Sequence, residues 1–113
     1  MFISDNGGAI PNGILRSVVP AAVGAWPTAL DKYGTMTFSD VAAASIRYAR
    51  DGFSMHPTMQ GSIKNTQQLL RRWGTNADIY LPNDKVPEVG ENFVQADLGR
   101  TLQYMVDEEA AAG

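Results

Sequence analysis

The sequence predicts a small all-α domain of about four helices behind an irregular N-terminal segment. Two observations carry this. Apolar residues recur at helical spacing in successive stretches bounded by capping residues, and residues 1–20 concentrate Gly, Pro and Asn without a helical period. The chain has 113 residues, enough for one domain with a modest core. Hydrophobic residues make up 44% and charged residues 19%, a globular composition.

The elements follow in chain order. In residues 1–20, Asn6-Gly7-Gly8 and Pro11-Asn12-Gly13 are turn signals between short apolar pieces, compatible with two short strands or a hairpin arm. The spacing of Val23, Trp26, Leu30 and Tyr33 predicts a first helix over about 25–33, with Pro27 in its first turn and Gly34 just beyond its end. The second helix is predicted over 38–51. Thr37 caps it, Asp40 completes an Asp form of the capping box, and Gly52 ends it with Phe53 as the accompanying apolar contact. Its apolar face is read as Val41, Ala42, Ser45, Ile46, Tyr48 and Ala49, mostly small side chains that let a neighbouring helix come close.

A third helix is predicted from Pro57 to about Trp73. Met59, Ile63, Leu70 and Trp73 form its stripe, with Thr66 filling the gap. Gly61 weakens it by ~1 kcal/mol relative to Ala. Gly74 is expected to close it, with Arg71 and Arg72 at its negative end. Residues 75–94 read as a long connection with an apolar anchor at Ile79-Tyr80-Leu81 and turns at Pro82-Asn83-Asp84 and 87–90. A loop of this length is unusual in a compact domain and is easier to understand against another part of a larger protein. The fourth helix begins near Ala96 and turns Leu98, Leu102, Met105 and Val106 inward. Asp107, Glu108 and Glu109 place negative charge where a helix end prefers cations, which favours a chain cut within a longer helix. The expected organisation is an irregular segment at 1–20 and a helical subdomain at 21–113, with no internal repeat.

Charge and composition exclude several function classes. The net charge is -3, and the only adjacent basic pair is Arg71-Arg72, so nucleic acid is not an expected partner. The absence of cysteine removes disulfides, thiolate catalysis and cysteine-ligated zinc. No apolar run approaches the ~20 residues of a membrane span. The N-terminal residues lack a basic start followed by an apolar core, so they do not read as a signal peptide. The compartment stays unassigned.

The candidate chemical groups read as structural. His56 is the sole histidine and has no partner at ligand or triad spacing. It stands before Pro57, where it caps the third helix or faces solvent. Asp107-Glu108-Glu109 and Glu88/Glu91 read as solvated faces, since acid/base pairs need a shared cleft. Trp26, Tyr33, Tyr48 and Trp73 fall on helical apolar stripes, so core packing is expected. With Tyr80 and Tyr104, a ligand groove is the alternative. The glycines form no phosphate loop and no nucleophile elbow. No catalytic, cofactor-binding or metal-binding residue is assigned.

The run VPAAVGAWPTALDKYGTMTFSDVAAASIRYARDGF, residues 19–53, resembles the large-subunit region of γ-glutamyltranspeptidases, which are N-terminal-nucleophile hydrolases. The likeness begins with Ser17-Val18-Val19-Pro20 and continues through Trp26 to Tyr33-Gly34, residues 37–49 and Gly52-Phe53. It extends to Phe93-Val94-Gln95, Asp97-Leu98 and Thr101-Leu102. The sequence departs from the pattern at Ala21 and Ala25, where the family usually has Gly, and at Pro27. The resemblance implies a helical portion of the large subunit that buttresses an αββα core. It also implies a parent that cleaves itself to expose a Thr nucleophile, whose own α-amino group helps as base. A Gly-rich segment would hold the oxyanion, and an upstream Arg would bind the substrate carboxylate. None of these elements maps onto residues 1–113. The implied partners are the rest of the large subunit, the small subunit and, for the parent, a small γ-glutamyl substrate. No cofactor is implied. The competing expectation is a stand-alone helical interaction module without catalysis.

Overall fold

The computed structural model describes residues 7–10, 13 and 16–112. The turn signals at Asn6, Pro11 and Asn12 lie outside the described residues. Two compact units are present, residues 1–35 and residues 36–113.

The first unit contains α1, Ala21–Tyr33. It starts four residues before the predicted boundary, because Ala21 and Ala22 have high helix propensity and propagate the helix back to Pro20. Pro27 therefore sits in the helix interior and not in its first turn. There it removes one intrahelical bond. Gly34 ends α1 in an extended conformation, not a left-handed one, with its N–H donating to Leu30 O at 2.7 Å. A Cβ at this position would lie 2.6 Å from that same carbonyl oxygen, so close approach requires the glycine. No residue of α1 is buried.

The second unit begins with α2, Phe38–Asp51, at the predicted boundaries. Thr37 Oγ1 accepts from Asp40 N at 3.1 Å, and Asp40 Oδ2 accepts from Thr37 N at 3.0 Å, the two halves of the expected capping box. The buried face is Phe38, Ala42, Ile46 and Ala49. Val41, Ser45 and Tyr48, expected on that face, are exposed. The face is rotated because its partner is one helix meeting the Ala42–Ala49 ridge. Gly52 takes φ +90 at the helix end, and its N–H donates to Tyr48 O at 3.0 Å.

That partner is α5, Ala96–Ala112. The two helices run antiparallel. Gly99, near the start of α5, lies against the backbone of Arg50 at the end of α2. Glu109, near the end of α5, reaches the start of α2. Gly99 is buried, whereas Leu98, expected inward, is 45% exposed. The small residues Ala42, Ala49 and Gly99 allow the close approach that the Ala-rich face of α2 predicts.

Residues between α2 and α5 build a separate core. Strand β1, Phe53–Ser54, pairs antiparallel with β2, Asn92–Phe93, in the register Phe53 to Phe93 and Ser54 to Asn92. Helix α3 spans Pro57–Leu70, with His56 as its N-cap and Pro57 at its first turn, as the sequence predicts. It stops short of Trp73. The N–H groups of Arg72 and Trp73 donate to Leu69 O and Leu70 O in tightened i to i+3 turns. Gly74 then opens a further helix, α4, Gly74–Tyr80, in the stretch predicted to be a connection. A seven-residue helix is too short to show a period and draws its stability from packing. Around these elements Met55, Ile63, Leu81 and Phe93 are buried, with Phe53, Met59, Leu70 and Tyr80 partly buried beside them. Leu81 is 2% exposed and fulfils the predicted anchor. Phe93 meets Phe53 edge-on at 5.8 Å between ring centroids and stacks with Tyr80 at 6.4 Å. The all-α class stands, with one short helix beyond the four expected among the described residues.

Candidate functional site

The side chains singled out in the sequence do not converge. His56 Nδ1 accepts from Thr58 N at 3.2 Å and so caps α3, a structural use that occupies the ring nitrogen a general base would need. Asp107 accepts from Gln103 Nε2 at 2.9 Å, while Glu109 points to the other helix. Glu91 Oε2 accepts from the N–H of Glu88 at 2.7 Å and so closes a turn. Among the described residues no group of three or more His, Cys, Asp or Glu side chains is arranged to hold a metal ion.

Sequence reasoning missed the role of Glu109. Its Oε1 accepts from Phe38 N at 2.7 Å and its Oε2 from Ser39 N at 3.0 Å. These N–H groups belong to the first turn of α2, where unsatisfied donors and the positive helix end favour a carboxylate. The acidic end of α5 thus serves the opposite helix. Only the antiparallel pairing, which no local pattern encodes, turns an unfavourable C-terminal charge into an N-terminal cap.

The charged groups with displaced titration are also structural. The N–H and hydroxyl of Thr37 hold the Asp40 carboxyl below its ordinary value. The hydrogen bond from Arg50 lowers Asp51, and the same bond raises Arg50. Thr37–Asp40 lies at the start of α2 and Arg50–Asp51 at its end, and both pairs are exposed.

Two of the concave surfaces of the second unit adjoin residues singled out in the sequence. One, about 770 Å³, surrounds Arg71. Arg71 Nε donates to Asp84 Oδ1 at 2.8 Å, Nη1 donates to Gln67 Oε1 at 2.9 Å, and Nη2 donates to the Asp84 carbonyl at 3.2 Å. This guanidinium is committed to holding the turn in which Asn83 and Asp84 take positive φ. The other is a groove of about 580 Å³ between the end of α4, β2 and the start of α5. Tyr80, Phe93, Val94 and Leu98 give it an apolar floor, and Asp78, Glu91 and Asp97 lie along it. Of the aromatic residues weighed for a groove, Tyr80 lines this one. Tyr48, Trp73 and Tyr104 do not line it. Trp26, Tyr48 and Trp73 are 49%, 52% and 40% exposed, and Tyr33 is 86% exposed, so the expected core packing of these four is not present. Trp73 lies beyond the end of α3 in an extended conformation before α4, so the predicted helical stripe does not reach it.

The hydroxyl of Thr37 donates to Asp40 Oδ2 at 2.8 Å, and both residues belong to the exposed cap of α2. Relatives supply the context. The pattern of the family described as Gamma-glutamyltranspeptidase matches residues 1–112. The glutathione hydrolase proenzyme of Bacillus subtilis (strain 168) is 31% identical over 110 residues, covering 93% of this chain and 19% of that protein. The crystal structure of Helicobacter pylori gamma-glutamyltranspeptidase superposes with a TM-score of 0.85 at 24% identity, covering 97% of this chain and 33% of that one, and shows the same fold. The transpeptidase CapD of Bacillus anthracis superposes with a TM-score of 0.71 at 28% identity, over 80% of this chain and 31% of that one. The chain therefore spans about a fifth of the curated relative it matches. The ordered motifs from Ser17 to Leu102, the helical architecture and the match over nearly every residue agree: the chain belongs to the γ-glutamyltranspeptidase family.

Proposed function

We propose that this chain is a helical portion of the large subunit of a γ-glutamyltranspeptidase-like enzyme and has a structural role in it. The parent would cleave or transfer γ-glutamyl groups of glutathione-like substrates through an autoprocessed N-terminal Thr lying outside these residues. In this reading residues 21–113 are the helical subdomain and residues 1–20 its irregular lead. Its partners are the remainder of the large subunit and the small subunit. The observation that carries the reading is the family match over residues 1–112 in a chain spanning 19% of its relative. The dispersed placement of its His and carboxylates supports a role without chemistry of its own.

The test is an assay of the purified chain with a chromogenic γ-glutamyl anilide, with and without a dipeptide acceptor. No turnover is expected. Robust turnover by the isolated chain refutes the structural role.

A second reading, a helical interaction module without catalysis, draws on the closure of the second unit by Glu109. Antibody detection of the native protein separates the two. A much larger precursor with a processed subunit supports the enzyme, and a species of this chain's own size supports the module.

A further inference from the structure

The groove beside β2 has a property that its side chains alone do not show. The segment 91–95 is extended, and one of its edges is fully used. Met55 N donates to Glu91 O at 2.8 Å, Phe53 pairs with Phe93, and Gln95 N donates to Ala49 O at 2.9 Å. In an antiparallel ladder successive residues direct their backbone groups to opposite edges. Residues 91, 93 and 95 face β1 and α2, so the N–H and C=O of Asn92 and Val94 face the other way. Ser54 and Asn92 form the pair without mutual bonds in this register. Among the described residues neither backbone group of Val94 has a hydrogen-bond partner. Both residues are exposed, and both line the groove.

We infer that this edge is a strand-addition site, taking an extended segment of another polypeptide antiparallel or parallel to residues 92–94. Such a segment needs apolar side chains on alternate residues. Those residues would rest on Tyr80 and Leu98 beside the buried Phe93, while the intervening ones stay in water. The lining also fixes its charge. Asp78 and Glu91 border the groove with no Lys or Arg among its lining residues, while Asp97 is already ion-paired with Arg100, so the rim keeps a net negative charge. A basic segment is therefore favoured. A second copy of this chain is disfavoured, because edge-to-edge pairing would bring the same carboxylates together. The site goes beyond the structural role proposed above, since it concerns what this surface takes up and not the chemistry of a parent enzyme.

The probe is a blocked peptide of alternating lysine and valine, titrated into the 113-residue chain while backbone amide hydrogen exchange is followed residue by residue. The expected result is new protection at the amides of Asn92 and Val94, with those of Phe93 and Gln95 unchanged because their bonds already exist. The peptide with glutamate in place of lysine is expected to bind about tenfold more weakly or worse. Asp78→Lys, on the exposed side of α4, is expected to weaken the lysine peptide several-fold. Absence of protection, equal protection at all four amides, or equal binding of the glutamate peptide would overturn the inference. Protection of Asn92 and Val94 that appears without peptide and rises with protein concentration would overturn it too, by assigning the edge to a second copy.

Discussion

Replacing Glu109 with Ala tests whether the acidic end of α5 acts as a cap on α2. In the native chain its two oxygens take hydrogen bonds of 2.7 and 3.0 Å from Phe38 N and Ser39 N, which stand 71 and 70 residues away. Thr37 satisfies a different donor, Asp40 N, so it cannot replace them. Each such bond contributes about 0.5–1.5 kcal/mol net, and loss of an N-cap typically costs about 1 kcal/mol. The Phe38 amide is partly buried, so its loss weighs towards the upper part of that range. Glu109→Ala should therefore destabilise the second unit by about 1–2 kcal/mol, or lower its melting temperature by roughly 4–16 °C for a unit of this size. Urea unfolding followed by far-ultraviolet circular dichroism measures it. Glu108→Ala, which removes the same charge one residue earlier, is the control and should change stability by less than about 0.5 kcal/mol. Equal effects of the two substitutions would mean that helix-end charge alone matters and would refute the cap. In a double substitution with Thr37→Ala the two losses should couple and not simply add, because both remove acceptors that serve N–H groups of the same first turn.

Four further outcomes follow from particular contacts. Gly61→Ala should stabilise α3 by about 1 kcal/mol, since a Cβ there meets nothing within 4 Å. Gly99→Ala should instead destabilise, by about 1 kcal/mol net, since its Cβ would press on Arg50 N at 3.3 Å and overpacking outweighs the propensity gain; paired thermal melts check the opposite signs. Leu81→Ala should cost about 2–4 kcal/mol by emptying the core beneath Tyr80, measured by denaturant unfolding. The Asp40 carboxyl is lowered in the folded state, so its contribution is fully present above about pH 4 and is lost as the pH falls through the lower folded value. Unfolding curves of native protein and Asp40→Asn should therefore converge towards low pH, and a gap that widens on acidification would contradict the capping box.

The parts of the fold legible in the sequence are those written in neighbouring residues. Thr37, Asp40 and Gly52 bound α2 because caps are local chemistry, and His56-Pro57 opens α3 for the same reason. The order of family motifs carried the kinship without any geometry. What escaped depends on partners far along the chain. The inward position of Gly99 is set by Arg50, and a pattern of apolar residues selects Leu98 instead because a glycine carries no hydropathy signal. Helix α4 escaped because its Gly and Asn lower local propensity, while Leu81 and Tyr80 hold it through tertiary contact. The spacing of Trp26, Tyr33 and Tyr48 predicts burial, yet all three are exposed. Periodicity tells which face is apolar, not whether anything lies against it.

The same distinction explains why the root of the second unit is built as it is. Helix α2 leaves its axis at Gly52 and the chain returns at Asn92, 41 residues after Asp51, to begin α5. Everything needed to bring these ends together is concentrated there. Asn92 Nδ2 donates to Asp51 O at 3.1 Å, and Gln95 N donates to Ala49 O at 2.9 Å. These bonds satisfy carbonyls in the last turn of α2, which a helix end otherwise leaves to water. Gly52 is required twice over, by its φ of +90 and by the Asn92 side-chain amide that occupies the space of a Cβ. Gly99 then lets α5 lie directly on the Arg50 backbone. Closing a loop of this size costs entropy that grows only slowly with its length. The intervening residues can therefore form their own core around Met55 and Leu81 without weakening the helix pair, provided the root stays closed. The Phe53 and Phe93 rings join the two tasks, since their ladder closes the root and their side chains begin the inserted core.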